Sequence, residues 1–375
     1  MKNEITAINS SILKWAREYY GLSFTEVSNK TNIPAQQIES WEKGEDYPTY
    51  SKLKKLCEFY KKPMITFFLD AVPTDMISTY DIACRSNSEI CFSSDNKRIR
   101  ELFELANIYR INLSELFENE DRPNFYELLS RNNISSNNEP LSIRNILKFS
   151  LDEQKAIKSV PQLLEIIRER LYDIGIYVFK EAFRTDEFSG LCLYDKDYPI
   201  ILLNNSTSFT RQLFTVFHEL YHLINKRADL EKTSTETERE CDKFASEFLI
   251  PSDDFNKITR KTNNYEDVYL IESLANTYKV SRDAICYRLC EQGKISHSFY
   301  DKLRREFNED FRQKSKSSGG NYYATKASYL GKTYLSSIIT SYYSGKITVQ
   351  QVGKFANIKT SQVATLASTL LGGVL

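Results

Sequence analysis

Arg211-Gln212-Leu213-Phe214-Thr215-Val216-Phe217-His218-Glu219-Leu220-Tyr221-His222-Leu223-Ile224 is the stretch that decides how the chain is read. It contains His-Glu-x-x-His. Residues four apart on a helix share one face, so both imidazoles can address one metal ion. Glu219 lies one step round the helix, near a water held in an open coordination position. Zinc lowers the pKa of such a water towards about 7, and a carboxylate can then take its proton. The rest of the run is strongly apolar, which suits a buried helix and a dry site. The chain has only three histidines, His218, His222 and His297. Two of them at this spacing around a glutamate argue against coincidence.

A third ligand has to come from elsewhere. Thr235-Glu236-Thr237-Glu238-Arg239-Glu240-Cys241-Asp242-Lys243-Phe244-Ala245-Ser246-Glu247-Phe248-Leu249-Ile250-Pro251 reads as a second amphipathic helix, with Cys241, Phe244, Ala245 and Phe248 inward and Pro251 marking its end. Glu238 falls one turn before Cys241 on the inward side, and facing favours it as the ligand. Glu236 and Glu240 stand as rivals on the same helix. Asp242, one turn after Glu238, is placed to hold a ligating histidine by its other nitrogen. No acid that would stabilise an oxyanion stands out. Tyr221 is off the ligand face, and His297 qualifies only by its chemistry. Cys286 and Cys290 are four apart, but no second pair follows, so they read as small apolar sulfurs in a structural helix.

Upstream, Pro161 to Tyr172 is an amphipathic helix with Leu164, Ile167 and Leu171 inward. Ile174 to Phe179, Gly190 to Tyr194 and Pro199 to Leu203 are strand candidates. The last two are joined by Asp195-Lys196-Asp197, a hairpin signature. The hairpin edge, near 190–194 or 200–204, offers a place for an extended peptide to pair.

These runs together resemble the ImmA/IrrE family of metallopeptidases. The shared parts are Phe-Thr-Val-Phe-His-Glu-Leu-Tyr-His, Glu-x-x-Cys-Asp-x-Phe-Ala-x-x-Phe-Leu-Ile-Pro and the preceding Ile201-Leu202-Leu203-Asn204. The match spans about 150 to 300. It implies a small zincin-like domain holding Zn2+ (Mn2+ as an alternative) on His218, His222 and Glu238, with Glu219 as general base. Family members cleave, or trigger loss of, transcriptional repressors. Some lie beside toxin genes and act as antitoxins.

Residues 1–70 read as five short helices. Ser23 and Glu26 form a capping box, Pro34 opens the third helix, Gly44 closes it and Thr49 can cap the fourth. The segment Leu22 to Val27 followed by Ile33-Pro34-Ala35-Gln36-Gln37-Ile38-Glu39-Ser40-Trp41-Glu42-Lys43-Gly44 resembles the helix-turn-helix of the phage-repressor (Xre-type) family. By that resemblance Ala35, Gln36, Gln37 and Ser40 face base edges of double-stranded DNA, where glutamine can pair with adenine. Two features depart from the pattern. Phe24 stands where family members often have glutamine, and ten basic residues meet nine acidic ones in 1–70, which offers little phosphate neutralisation.

Residues 71–140 read as a helical connector with a helix from Asn96 to Asn107 and an Asn/Ser-rich loop from Arg131 to Pro140. The peptidase-like domain runs over 141–312, and Gln313 to Gly320 is a linker. The last segment, 321–375, carries five lysines and no Asp or Glu. Its Ile347 to Val363 portion has a helix-turn-helix-like rhythm. It reads as a small bundle docked on the peptidase, with nucleic acid or an acidic partner as the rival.

The whole chain has 375 residues, 41% hydrophobic and 27% charged, with fifty basic and fifty acidic side chains. This balance excludes collagen-like and wholly disordered classes and leaves no global field to recruit nucleic acid or membrane. No apolar run spans a bilayer, no signal-peptide core is present, and seven scattered cysteines fit a reducing, cytoplasmic setting. The expected fold is mainly α with a small β-sheet (α+β). The expected function is a metallo-endopeptidase acting on a repressor-type regulator, with the N-terminal module targeting DNA or a partner, and a homodimer allowed. The alternative is an antitoxin or transcription regulator that binds a toxin or DNA and whose metal site is silent.

Overall fold

The computed structural model describes residues 4–73, 96–118, 120–132, 140–185, 188–225, 235–262, 264–314 and 322–371. By internal contacts the chain forms two compact units, Met1–Glu104 and Leu105–Leu375. The division falls inside one long helix, Asn96–Leu116, which runs a further two turns beyond the expected end at Asn107. The polar stretch after Pro73, most of the Asn/Ser-rich loop before Pro140 and the linker after Lys314 lie outside the described residues.

The first unit holds α1 (Ser10–Tyr19), α2 (Phe24–Thr31), α3 (Ala35–Lys43) and α4 (Tyr50–Tyr60). Ser23 and Glu26 close the expected capping box at the start of α2, and Asn32, left-handed at φ 55°, ends that helix. Gly44 at φ 72° ends α3, a conformation glycine adopts without strain. Ile12, Leu13, Ala16, Val27, Ile38, Trp41, Leu53, Leu56 and Phe67 form the core. The expected fifth helix is a single 3-10 turn, Met64–Phe68.

The departure at Phe24 has a structural cause. The Arg17 guanidinium lies 4.1 Å over the Phe24 ring, and its Nε and Nη2 each donate at 2.8 Å to Glu42. Phe24 is therefore the platform of a buried ion pair rather than a brace to a phosphate. The Glu42 side chain is only 4% exposed, so Arg17→Ala leaves an uncompensated buried charge and is expected to cost about 3 kcal/mol. Both tryptophans, Trp15 and Trp41, lie in this unit. A fall in the tryptophan-fluorescence melting temperature measures the loss; an unchanged midpoint refutes it.

The second unit is built on a three-stranded sheet of β1 (Tyr177–Glu181), β2 (Gly190–Leu193) and β3 (Ile200–Asn204), in the order β1-β3-β2. β1 runs parallel and β2 antiparallel to β3. Asp195 Oδ1 accepts the backbone N–H groups of Asp197 and Tyr198 at 3.0 and 2.8 Å, which fixes the β2–β3 turn. All five β3 residues are buried. Because β3 is the middle strand, 200–204 offers no free edge to a peptide, and that expectation is corrected. β2 keeps one side without a partner among the described strands.

Helix Phe209–Asn225 packs on β2, β3 and helix Thr235–Leu249. Leu213, Val216, Phe217, Leu220 and Leu223 bury its apolar face, and Phe217 stacks on Phe248 with centroids 3.8 Å apart. The last carbonyls of helix Thr235–Leu249 have no helical partner, and Pro251 cannot donate to them. Buried side chains supply the donors instead. Arg144 Nη2 donates to Phe248 O at 2.6 Å, Gln154 Nε2 to Leu249 O at 2.9 Å, and Arg288 Nη2 to Ile250 O at 3.1 Å. These three bonds anchor the helix end. Cys286 and Cys290 are buried on helix Arg282–Glu291.

Of the C-terminal helices Tyr322–Leu330, Lys332–Tyr343, Val349–Ala356 and Val363–Leu371, the first packs on β1 and the last two pack on the second. Arg168 donates to Ser328 O and Tyr329 O at 2.8 and 3.0 Å, and Tyr172 pairs with Ser337 at 2.7 Å. Lys346 and Lys354 pair with Glu120 and Glu115, each at 2.6 Å. Two of the five lysines are thus spent on docking. The local construction repeats that of α2 and α3 at one constant offset. Thr348 and Gln351 form a capping box, Asn357 is left-handed, and Val363 and Leu366 are buried as Ile38 and Trp41 are, while Ile358 is half-buried where Ile33 is buried. Among the described residues, no helix is long and apolar enough to cross a membrane.

Candidate metal centre

His218 and His222 project from helix Phe209–Asn225 towards Glu238 on helix Thr235–Leu249. His218 Nε2 lies 3.2 Å from Glu238 Oε2, and His222 Nε2 lies 3.3 Å from Glu238 Oε1. The two Nε2 atoms are 3.3 Å apart. Three donors bound at the usual 2.0–2.1 Å in a tetrahedron are separated by about 3.3 Å. The three side chains already have the spacing of one face of such a site. The donor set, two imidazoles and a carboxylate, suits zinc and tolerates manganese.

Asp242 Oδ1 is 2.9 Å from His218 Nδ1. With Nδ1–H donated to Asp242, loss of the Nε2 proton would leave that nitrogen's lone pair directed at the metal position. Burial opposes charge on His218, but its hydrogen bonds to Asp242 and Glu238 outweigh that and push the imidazole up to about 10. Hydrogen bonds from His218 and His222 hold the Glu238 carboxyl well below the usual carboxylate range, against the opposing effect of burial. Glu236 and Glu240 are exposed, and neither is brought to the histidines as Glu238 is.

Glu219 is 8% exposed; its charge acts on His218, but among the described residues no hydrogen bond or ion pair joins it to His218, His222 or Glu238. It lies under β2. A Cβ built on Gly190 would sit 3.4 Å from Glu219 Cγ and only 2.4 Å from Thr215 Cγ2. Gly190 thus lets the edge strand close down on the helix beside the Glu219 carboxylate. Tyr221 packs on Phe244, with centroids 5.0 Å apart. His297 lies with its Nδ1 3.3 Å from Cys290 Sγ, away from the donor triangle. On the other unit, Gln36 is exposed on α3, Ala35 and Ser40 are half-exposed, and Gln37 Oε1 accepts a bond from Lys52 Nζ at 2.6 Å.

One residue near the donors carried no such role in the sequence. Cys241 Sγ lies 3.5 Å from His222 Nε2, and its sulfur and the donor nitrogens of His218 and His222 all fall within 4.8 Å of one another. Its one-turn spacing from Glu238 was visible in the sequence, but its inward position read as core.

Residues 172–290 match the family model of the IrrE N-terminal-like domain, and residues 13–67 match that of a helix-turn-helix. The chain therefore joins a metallopeptidase-type domain to an Xre-type helix-turn-helix, as the sequence resemblance implied. A search of curated proteins found no match. A solved Mycobacterium tuberculosis transcriptional regulator is similar at 18% identity over 41% of this chain and 52% of that one, with a TM-score of 0.26. The chain thus spans about half the length of that regulator.

Proposed function

We propose that the chain is a metal-dependent endopeptidase whose substrate is a protein regulator of repressor type, with the helix-turn-helix unit directing it to DNA or to a partner. The observation that carries this reading is the donor triangle with Glu219 beside it but outside it. A purely structural centre has no use for a buried, non-ligating carboxylate at that position. His218, His222 and Glu238 would hold the ion, and Asp242 orients His218. The bound ion would polarise the scissile carbonyl and acidify a water. Glu219 accepts the proton of that water at its carboxylate and returns it to the leaving amine. The outer side of β2, beside Gly190, would take the extended peptide by main-chain pairing. On the other unit, Ala35, Gln36, Gln37 and Ser40 would face base edges, with Gln37 already braced by Lys52.

The metal-free site makes a pH-dependent prediction. His218, raised to about 10, holds its proton at neutral pH. Ligation needs the neutral imidazole, so that proton must leave, and metal affinity rises with pH and falls as pH drops. Zinc titration calorimetry near pH 7, in two buffers of different ionisation enthalpy, is expected to show at least one proton released per ion. Zero release would contradict the assignment of His218.

The function itself is tested by capture. Chelator-stripped protein is used to isolate partners from its native cells, and zinc is then restored. Cleavage of a captured regulator on zinc addition, and not with chelator, is expected. A partner cut neither by the wild-type protein nor by a Cys241→Ala variant would overturn the peptidase. It would favour the second reading, an antitoxin or regulator with a silent centre, for which the proximity of Cys241 to the donors speaks.

A further inference from the structure

Cys241 is not simply a core sulfur. It is wholly buried, yet its sulfur faces His222. Glu238 and Cys241 are one turn apart, so both project to the same face, towards His218 and His222. The Sγ to His222 Nε2 separation is 3.5 Å. A thiolate at the usual 2.3 Å and an imidazole at 2.0–2.1 Å on one tetrahedral ion stand about 3.5 Å apart. The His222 edge is already at that length. The widest separation among the sulfur and the two histidine donors is no more than 4.8 Å.

We propose that Cys241 is a fourth protein donor to the same centre and that it closes the site. This rests on the metallopeptidase reading and adds a regulatory state to it. In the open form, His218, His222 and Glu238 leave one position for water. In the closed form, the Cys241 sulfur fills that position. Centres with four protein donors are structural, and those with three are catalytic. The closed form therefore withholds the water that Glu219 needs. Only a thiolate ligates, so closing releases the thiol proton to solvent, and opening returns a proton to sulfur as water takes its place. A chain built in this way can carry metal without cutting its partner until a substrate or ligand displaces the sulfur.

The test uses cobalt(II) as the probe ion in the full-length chain, compared with Cys241→Ala and Cys241→Ser. A thiolate bound to cobalt gives a charge-transfer band in the near ultraviolet that imidazole and carboxylate do not. The wild type is expected to show this band, and both variants are expected to lose it while still binding cobalt. Zinc affinity, measured by competition with a chromogenic chelator, is expected to fall at least about tenfold in both variants, since even an outer partner of a ligand is worth that much. Far-ultraviolet circular dichroism confirms that the variants are folded. Stoichiometric cobalt with no thiolate band in the wild type would sink the closed form and leave the open peptidase reading intact. No cobalt bound by the wild type or by either variant would sink both readings together.

Discussion

Glu219→Gln is expected to lower the cleavage rate by about two to four orders of magnitude, the usual worth of a positioned general base, while metal content stays unchanged. The two outcomes separate because Glu219 is not part of the donor triangle. The Nε2 and Oε atoms of His218, His222 and Glu238 lie 3.2–3.3 Å from one another without it. Glutamine keeps the shape of the side chain under Gly190, so packing against β2 is preserved. It cannot take a proton from water at pH 7. The measurement pairs metal analysis of the purified variant with its cleavage rate on a regulator that the wild type cuts. A variant that cuts at near wild-type rate would remove Glu219 from the chemistry. One that loses its metal would make Glu219 a ligand.

His-Glu-x-x-His and the Glu238-to-Asp242 run are legible in the sequence because each is local. Helical spacing alone fixes which side chains share a face, and two amphipathic helices need only pack to bring the faces together. Cys241 shows where that logic runs out. The pattern that turns Glu238 inward also turns Cys241 inward, and nothing in the spacing tells a core sulfur from a donor. The buried caps were illegible for a different reason. Arg144 and Gln154 reach Phe248 and Leu249 from about a hundred residues away in the chain, and no local signal announces such a bond.

Strand order shows the same limit. The hairpin at Asp195 was readable from its turn, but that β3 lies in the middle follows from its parallel pairing with β1, set by packing of the intervening chain. Docking of the C-terminal helices was an expectation from their composition. Its means, Lys346 on Glu120 and Lys354 on Glu115, depends on partners more than two hundred residues distant.

Gly190→Ala is expected to damage both stability and catalysis, and the geometry says why. Gly190 has no left-handed backbone that would demand glycine, so the argument is one of space. The added Cβ would meet Thr215 Cγ2 at 2.4 Å and Leu202 O at 3.2 Å. The first distance is far inside contact and the second is against backbone, so β2 must lift from helix Phe209–Asn225. Overpacking of this kind costs about 1–3 kcal/mol. The lift also moves the strand proposed to seat the peptide away from Glu219, and a displacement of about 1 Å there can cost a hundredfold in rate. Circular dichroism melting is the stability readout, because both tryptophans belong to the other unit. The control is Thr215→Ser, which removes the offending methyl and keeps the hydroxyl. If space is the cause, the Gly190→Ala/Thr215→Ser double variant recovers most of both losses, so that the two substitutions are far from additive. If Gly190→Ala is harmless, or if the serine brings no recovery, the close approach of β2 to the helix is not what holds Glu219 in place.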